Sequence, residues 1–385
     1  AELVLGVGHT QGFGQSLDER ERVVDTFSGT VIIRGNDVRG VPEATVERLA
    51  ETGAEHGIAL RYPRLGDNAI DVSDNTVTDV RRYGIWLRQY TRSGEGADEH
   101  VTTIDDNTGV WAIARNHVER VGRGIVAERI TGRLEVAENA VTQADDVGIT
   151  LRNPGVDNVL AQNGVVEAAG RGIDIGPAFT GRSAAVLRAN RVAQSGRSGV
   201  VVRTRLGGSW TLNENEVNGA EWGFAFEGDD AEDQPSSVSL RGNSVIDVEV
   251  GFAALALRGD FTSVGERLEI PGVGFWVERS VDGVVTIENP ALLRVAGAGI
   301  YAIGNNSELR FENLVIPSLE KRILPFDDGA EEAGEAVDYG VLALDNRTLH
   351  VNGLNAALND VSFALLVDRR YAGEARYSVD VTSAA

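Results

Sequence analysis

Asp174 is the residue whose type and spacing best suit it to acid–base chemistry. It lies two positions after Gly172, while Arg152 and Arg203 lie four positions after Gly148 and Gly199. If the spacings of 24 and 27 residues between those glycines bring them into register, Asp174 sits between two arginines. Trp86 and Arg88 follow Gly84 in the same way, and Trp276 and Tyr301 follow Gly274 and Gly299. A carboxylate flanked by guanidinium groups can move a proton, and aromatic rings can stack on sugars. Glu221 and Glu249 each stand two residues before such a glycine. Their carboxylates would lie about 5 Å apart on successive periods, a separation found in paired-carboxylate glycosidases. Asp105 with Asp106, and Asp229 with Asp230, are acid pairs that could hold calcium between loops, although neither lies in a D-x-D-x-D-G frame. Each constellation also has a plainer reading, a salt-bridged ladder on an exposed sheet or acidic surface turns.

Other chemistry is excluded by what is missing. There is no cysteine, so disulfides and thiolate metal sites cannot form, and there is no methionine. The histidines His9, His56, His100, His117 and His350 are scattered, with no H-x-x-x-H pair, and neither G-x-S-x-G nor a phosphate loop occurs. The formal net charge is −22, and Lys321 is the sole lysine. Such acidity opposes nucleic acid and anionic membranes as partners. No apolar run approaches the ~18 residues of a membrane span.

The elements that would position these side chains come from a repeat. The phrase apolar-x-apolar-x-x-Asn-x-Val recurs with its asparagine at Asn36, Asn75, Asn116, Asn139, Asn163, Asn190, Asn215 and Asn243, with degenerate copies at Asn289 and Asn313. A glycine and an apolar residue follow each time, as in Gly148-Ile149 and Gly223-Phe224. The base period is near 24 residues, stretched where loops are inserted. Leucine-rich repeats share part of the phrase, but here valine and isoleucine are as frequent as leucine, and the Gly-Ile-x-Leu-Arg segment alternates with a period of two. The chain thus resembles the right-handed parallel β-helix of the pectate-lyase-like superfamily over nearly its whole length. The resemblance implies an all-β solenoid, residues 1–385 forming one domain of about twelve coils, with strands about 4.8 Å apart. Inward residues should stack in columns, Val31, Ile70, Trp111 and Leu134 in one, Ile33, Val72, Ile113 and Val136 in another. The asparagines should form a ladder at one turn.

Insertions are expected at 39–55, with a short helix after Pro42, and at 91–100, 229–237 and 318–338. Family catalytic motifs are missing: Gly8-His9-Thr10 precedes every Asp pair, and there is no Asp-Pro-His. The favoured function is therefore a non-catalytic structural or adhesive rod, or a module of a surface protein or fibre, exported by a bacterium or phage, with a preceding segment removed. The alternative is a polysaccharide lyase, hydrolase or epimerase working on the Asp174, Arg152, Arg203 and Trp86 face. No cofactor is called for beyond the calcium candidates. Past Gly251 the positions expected to face outward become apolar, at Ala253, Leu255, Trp276, Tyr301, Ile303, Leu342 and Leu344. A patch of that kind should be covered, by the 318–338 insertion or by self-association or a neighbouring domain through the C-terminal coils, unless the register shifts by one residue.

Overall fold

The computed structural model describes residues 3–5, 30–39, 56–62, 69–89, 109–130, 132–155, 157–176, 183–204, 207–228, 235–316, 319–320, 339–356, 363–368 and 376–381. The chain divides into two compact units, Ala1–Val186 and Leu187–Ala385. Each is built as a right-handed parallel β-helix, and no helix occurs among the described residues. The expected helix after Pro42 and most of the four insertions lie outside the described residues.

A coil of the first unit runs Arg133–Ala137, Ala140–Ala144 and Val147–Arg152. Each strand pairs in parallel with its counterparts one period away, as in Val141↔Val165 and Ile149↔Ile173. Alternation sends every second side chain into the lumen, so like residues stack. One column reads Val31, Ile70, Trp111 and Leu134, and another reads Ile33, Val72, Ile113, Val136 and Leu160. The second unit has Trp210, Val238, Phe261, Val285, Leu309 and Leu349 in one such column. Trp111 and Trp210 are fully buried, as core tryptophans should be. Phe224, Phe252 and Phe275 stack at 5.0 and 5.1 Å between ring centroids, adding offset aromatic contacts to the area they bury.

The glycines mark a corner with no space for a β-carbon. At Gly148 a Cβ would lie 2.3 Å from Val165 and 2.7 Å from the carbonyl oxygen of Gly172. Tight packing, rather than positive φ, fixes the residue type there.

The asparagines form ladders. In the first unit Asn139 Nδ2 donates to Asn163 Oδ1 at 2.9 Å and to the Ile113 carbonyl at 2.8 Å, while its Oδ1 accepts from both nitrogens of Asn116. Asn75 and Asn36 extend the series. The second unit repeats it at Asn190, Asn215 and Asn243. Buried amides paired in this way avoid a desolvation cost of about 1–3 kcal/mol per orphaned group. The residue before each rung takes positive φ, for example Glu138 at 56° and Glu214 at 56°.

The degenerate copies proposed at Asn289 and Asn313 are displaced by one position. Both have positive φ, 50° and 52°, and therefore occupy the place before the rung. Register confirms it, because Ser244, Arg267, Ala291 and Val315 align, which puts Asn243, Glu266, Pro290 and Leu314 in the ladder column. The ladder thus ends on a carboxyl group. Asn243 N–H donates to Glu266 Oε2 at 2.6 Å, and Oε1 is buried without a hydrogen-bond partner. Burial raises the Glu266 carboxyl from 4.5 to about 8, against hydrogen bonds from Asn243 and Val264. Pro290, with no N–H, leaves no donor orphaned at the next coil. A second, shorter ladder joins Ser280, Asn305 and Asn346 at another turn.

Candidate functional site

The strand that follows each corner glycine carries the candidate residues. In the first unit its outward side presents three columns, the residue before the glycine and the residues two and four after it. Pairings Ala59↔Trp86↔Val126 and Thr150↔Asp174 place the middle column, and Arg88↔Glu128↔Arg152 place the last.

These columns form a packed second layer instead of an open surface. Trp86 is 6% exposed and Asp174 7% exposed, where the sequence pattern had them facing solvent. The cause is in-register stacking of bulky groups on neighbouring coils. Ala59, Tyr83, Trp86 and Val126 make one apolar cluster. The His56 ring lies parallel to Tyr83 with centroids 5.0 Å apart, and Trp86 is tilted against both at 5.0 and 5.1 Å. Arg82 lies 5.2 Å from the Tyr83 centroid and Arg123 5.9 Å, within cation–π range.

The polar groups are bound to one another. Glu128 accepts from Trp86 Nε1 at 3.1 Å and lies 3.8 Å from Arg88 and 3.7 Å from Arg152. Asp174 is paired with Arg171 at 3.3 Å, and Arg123 with Asp146 at 2.6 Å. Arg152 therefore turns to Glu128, and Asp174 has a partner, Arg171, on its own strand. The sequence pattern singles out positions two and four after the glycine and, at Glu221 and Glu249, two before it. It missed His56, Tyr83 and Arg171, whose signal is their shared place immediately before it.

In the second unit Arg203 pairs with Glu227 at 3.3 Å. Trp276 stacks on Trp222 and meets Tyr301 edge to face, both at 5.5 Å, and Trp276 Nε1 donates to Glu278 at 3.0 Å. Tyr301 is 3% exposed, in a cluster with Val273, Ala298, Tyr339 and Leu342, against which Trp276, Ile303, Leu344 and Leu366 pack. Ala253 is buried with Val201, Ala225 and Val250, and Leu255 packs on them. These side chains are thus buried or half-buried against one another on adjacent coils, with no register shift, because Ile300 and Phe275 keep the lumen positions. Cover by the 318–338 insertion falls largely outside the described residues. Glu221 and Glu249 are exposed, and pairings Ala220↔Val248 and Trp222↔Val250 place them side by side on adjacent coils. Asp105, Asp106, Asp229 and Asp230 lie outside the described residues.

Fold and face together define a right-handed parallel β-helix with an arginine-paired outer strand layer. A family profile described as "Periplasmic copper-binding protein (NosD)" matches residues 19–218, and the chain belongs to that family. No curated protein sequence matches it. Among solved structures it is similar to the DFA-IIIase of Arthrobacter chlorophenolicus A6. With the complex containing GF2 it shares 12% identity over 88% of this chain and 85% of that one, at a TM-score of 0.25. With the complex containing DFA-III it shares 11% identity over 88% and 84%, also at 0.25. A likeness that low carries no inference about site or activity.

Copper is named in the family description, and the described residues do not fit it. The soft ligands cysteine and methionine are absent from the whole sequence. Among the described residues no three histidine, aspartate or glutamate side chains converge on a point that could hold a metal ion. His56 is enclosed by Tyr83 and Trp86, His117 lies by Glu119, and His350 by Ser378 and Glu308.

Proposed function

We propose that this chain is a non-catalytic β-helix working outside the cytoplasm, as a structural or adhesive module of a cell-surface or periplasmic assembly. The observation that carries the reading is the state of the outer-layer carboxylates. Glu128 is held by Trp86, Arg88 and Arg152, and Asp174 by Arg171. Acid–base catalysis needs a carboxyl group within reach of a substrate atom and free to exchange a proton with it. Groups already committed to guanidinium partners in a buried layer are arranged for rigidity. The accessible chemistry of this face is its half-exposed arginines, which suit contact with hydroxyl-rich or acidic glycans. Glycan-array binding by the wild type and by Arg88→Ala and Arg152→Ala tests this. Binding weakened by either variant supports adhesion, and binding indifferent to both removes the face from it.

A second reading, a polysaccharide-active enzyme, is favoured by the His56, Tyr83 and Trp86 cluster beside Glu128. It requires that layer to open to a sugar, and then Glu128→Gln or Asp174→Asn should abolish turnover while leaving the melting temperature unchanged.

A further inference from the structure

Each interior rung of the second unit's ladder makes two kinds of donation, one to the next rung and one to a lumen residue's carbonyl on the coil before. Asn215 Nδ2 donates to Asn243 Oδ1 at 2.9 Å and to the Leu187 carbonyl at 3.0 Å. Asn243 Nδ2 donates to the Leu212 carbonyl at 2.9 Å. Leu212 pairs with Leu240, so the Leu240 carbonyl is the counterpart acceptor for the next rung. That rung is Glu266. Its Oε2 accepts from the Asn243 N–H at 2.6 Å, which leaves Oε1 in the role that Nδ2 has elsewhere.

An amide nitrogen brings its own hydrogen to a carbonyl, and a carboxylate oxygen does not. Glu266 is 0% exposed, and its Oε1 is buried with no hydrogen-bond partner. The following coil puts Pro290, which has no N–H, at the rung. Ser263, the lumen residue three positions earlier, also has a buried hydroxyl oxygen without a partner, so it gives Oε1 no hydrogen bond. The charged side chains on the turns that sandwich Glu266 are Arg241 before it, Arg267 on its own coil and Glu288 after it. Both arginines are exposed and Glu288 is half-buried. Hydrogen bonds from Asn243 and Val264 favour the charged form, and burial outweighs them.

We propose that Glu266 is a proton latch between coils: as the neutral acid its Oε1–H donates to the Leu240 carbonyl and closes the ladder, and loss of that proton parts the coils at the Asn243–Glu266–Pro290 seam. The step is a single ionisation. The O–H bond of Oε1 breaks, its electron pair stays on the carboxylate, and the proton goes to water. Carboxylate then faces carbonyl, two acceptors with no hydrogen between them, and the seam opens to admit water. Because opening releases a proton, it becomes about tenfold easier per pH unit between the ordinary 4.5 and the folded value of about 8, and levels off above that.

Two measurements on the full chain test the latch. Infrared difference spectra, wild type minus Glu266→Gln, should show the C=O stretch of one protonated carboxyl at about pH 6 and none at about pH 10. Site-resolved hydrogen exchange should follow the amides of Asn243, Arg267 and Ala291, which donate across the seam. Their protection, relative to the first-unit amides of Asn116 and Asn139, should fall about tenfold per pH unit between about pH 5 and 8. Glu266→Gln, whose amide supplies the missing hydrogen, and Glu266→Asn, the rung residue of the preceding coils, should each hold that ratio constant. Absence of the protonated-carboxyl band, a constant ratio in wild type, or an equal fall in both variants would overturn the proposal.

Discussion

Replacing Glu266 by Gln should stabilise this protein, and more so as pH rises. Glu266 occupies a ladder position filled by asparagine on the preceding coils, is fully buried, and has one oxygen without a partner. Its carboxyl is raised from 4.5 to about 8, chiefly by burial. A folded-state value above the unfolded one means that folding must take up a proton between the two. The stability it allows is fully present below about pH 4.5 and is lost as pH climbs towards about 8. At about 1.4 kcal/mol per pH unit, the penalty relative to a neutral side chain is about 1 kcal/mol at pH 5, about 3 at pH 7 and about 5 at pH 9. Glutamine has the same shape, keeps an acceptor for Asn243, and does not titrate. Urea midpoints of wild type and Glu266→Gln across this range measure the difference. The curves should converge at acid pH, separate between about pH 5 and 8, and run parallel above that. Curves parallel over the whole range, or a variant weaker throughout, would show that the carboxyl is not held neutral in the folded state.

Asn139→Ala removes an interior rung and orphans donors on Asn116, so it should cost about 2–4 kcal/mol in urea titration. Asn36→Ala, at a half-buried rung that donates to Asn75, should cost less. Gly148→Ala drives a Cβ to 2.3 Å from Val165 and should destabilise by about 1–3 kcal/mol of overpacking, read as a clear fall in melting temperature. Gly164→Ala, with nothing within 4 Å of its Cβ, should be close to neutral in the same scan.

The architecture was legible because it rests on periodic terms. Apolar alternation, the asparagine phrase and the corner glycines each repeat, so the columns of Ile113 with Val136 and the rungs from Asn75 to Asn163 could be written from sequence. The ladder misplaced at Asn289 and Asn313 shows the limit. There asparagine serves a different demand, positive φ, and the rung itself has become proline or leucine. Glu266 escaped notice because only register reveals that Gly265-Glu266-Arg267 aligns with Gly242-Asn243-Ser244. The outer layer was half legible. Spacing placed Trp86, Asp174 and Tyr301 on the outward side, but exposure depends on what adjacent coils put beside them. His56 and Tyr83, which enclose Trp86, sit in a column that the period-two pattern does not single out. The pairing of Asp174 with Arg171 likewise follows from local strand geometry that a 24-residue repeat does not encode.

The central claim is that the outer strand layer holds its carboxylates for structure and does no chemistry on sugars. It is tested most directly by incubating the wild-type chain with a broad panel of neutral and acidic polysaccharides while measuring new reducing ends and unsaturated products. The account predicts no product above a heat-inactivated control for any of them. Turnover of even one polysaccharide that disappears in Asp174→Asn or Glu128→Gln, with melting temperature unchanged, would contradict it.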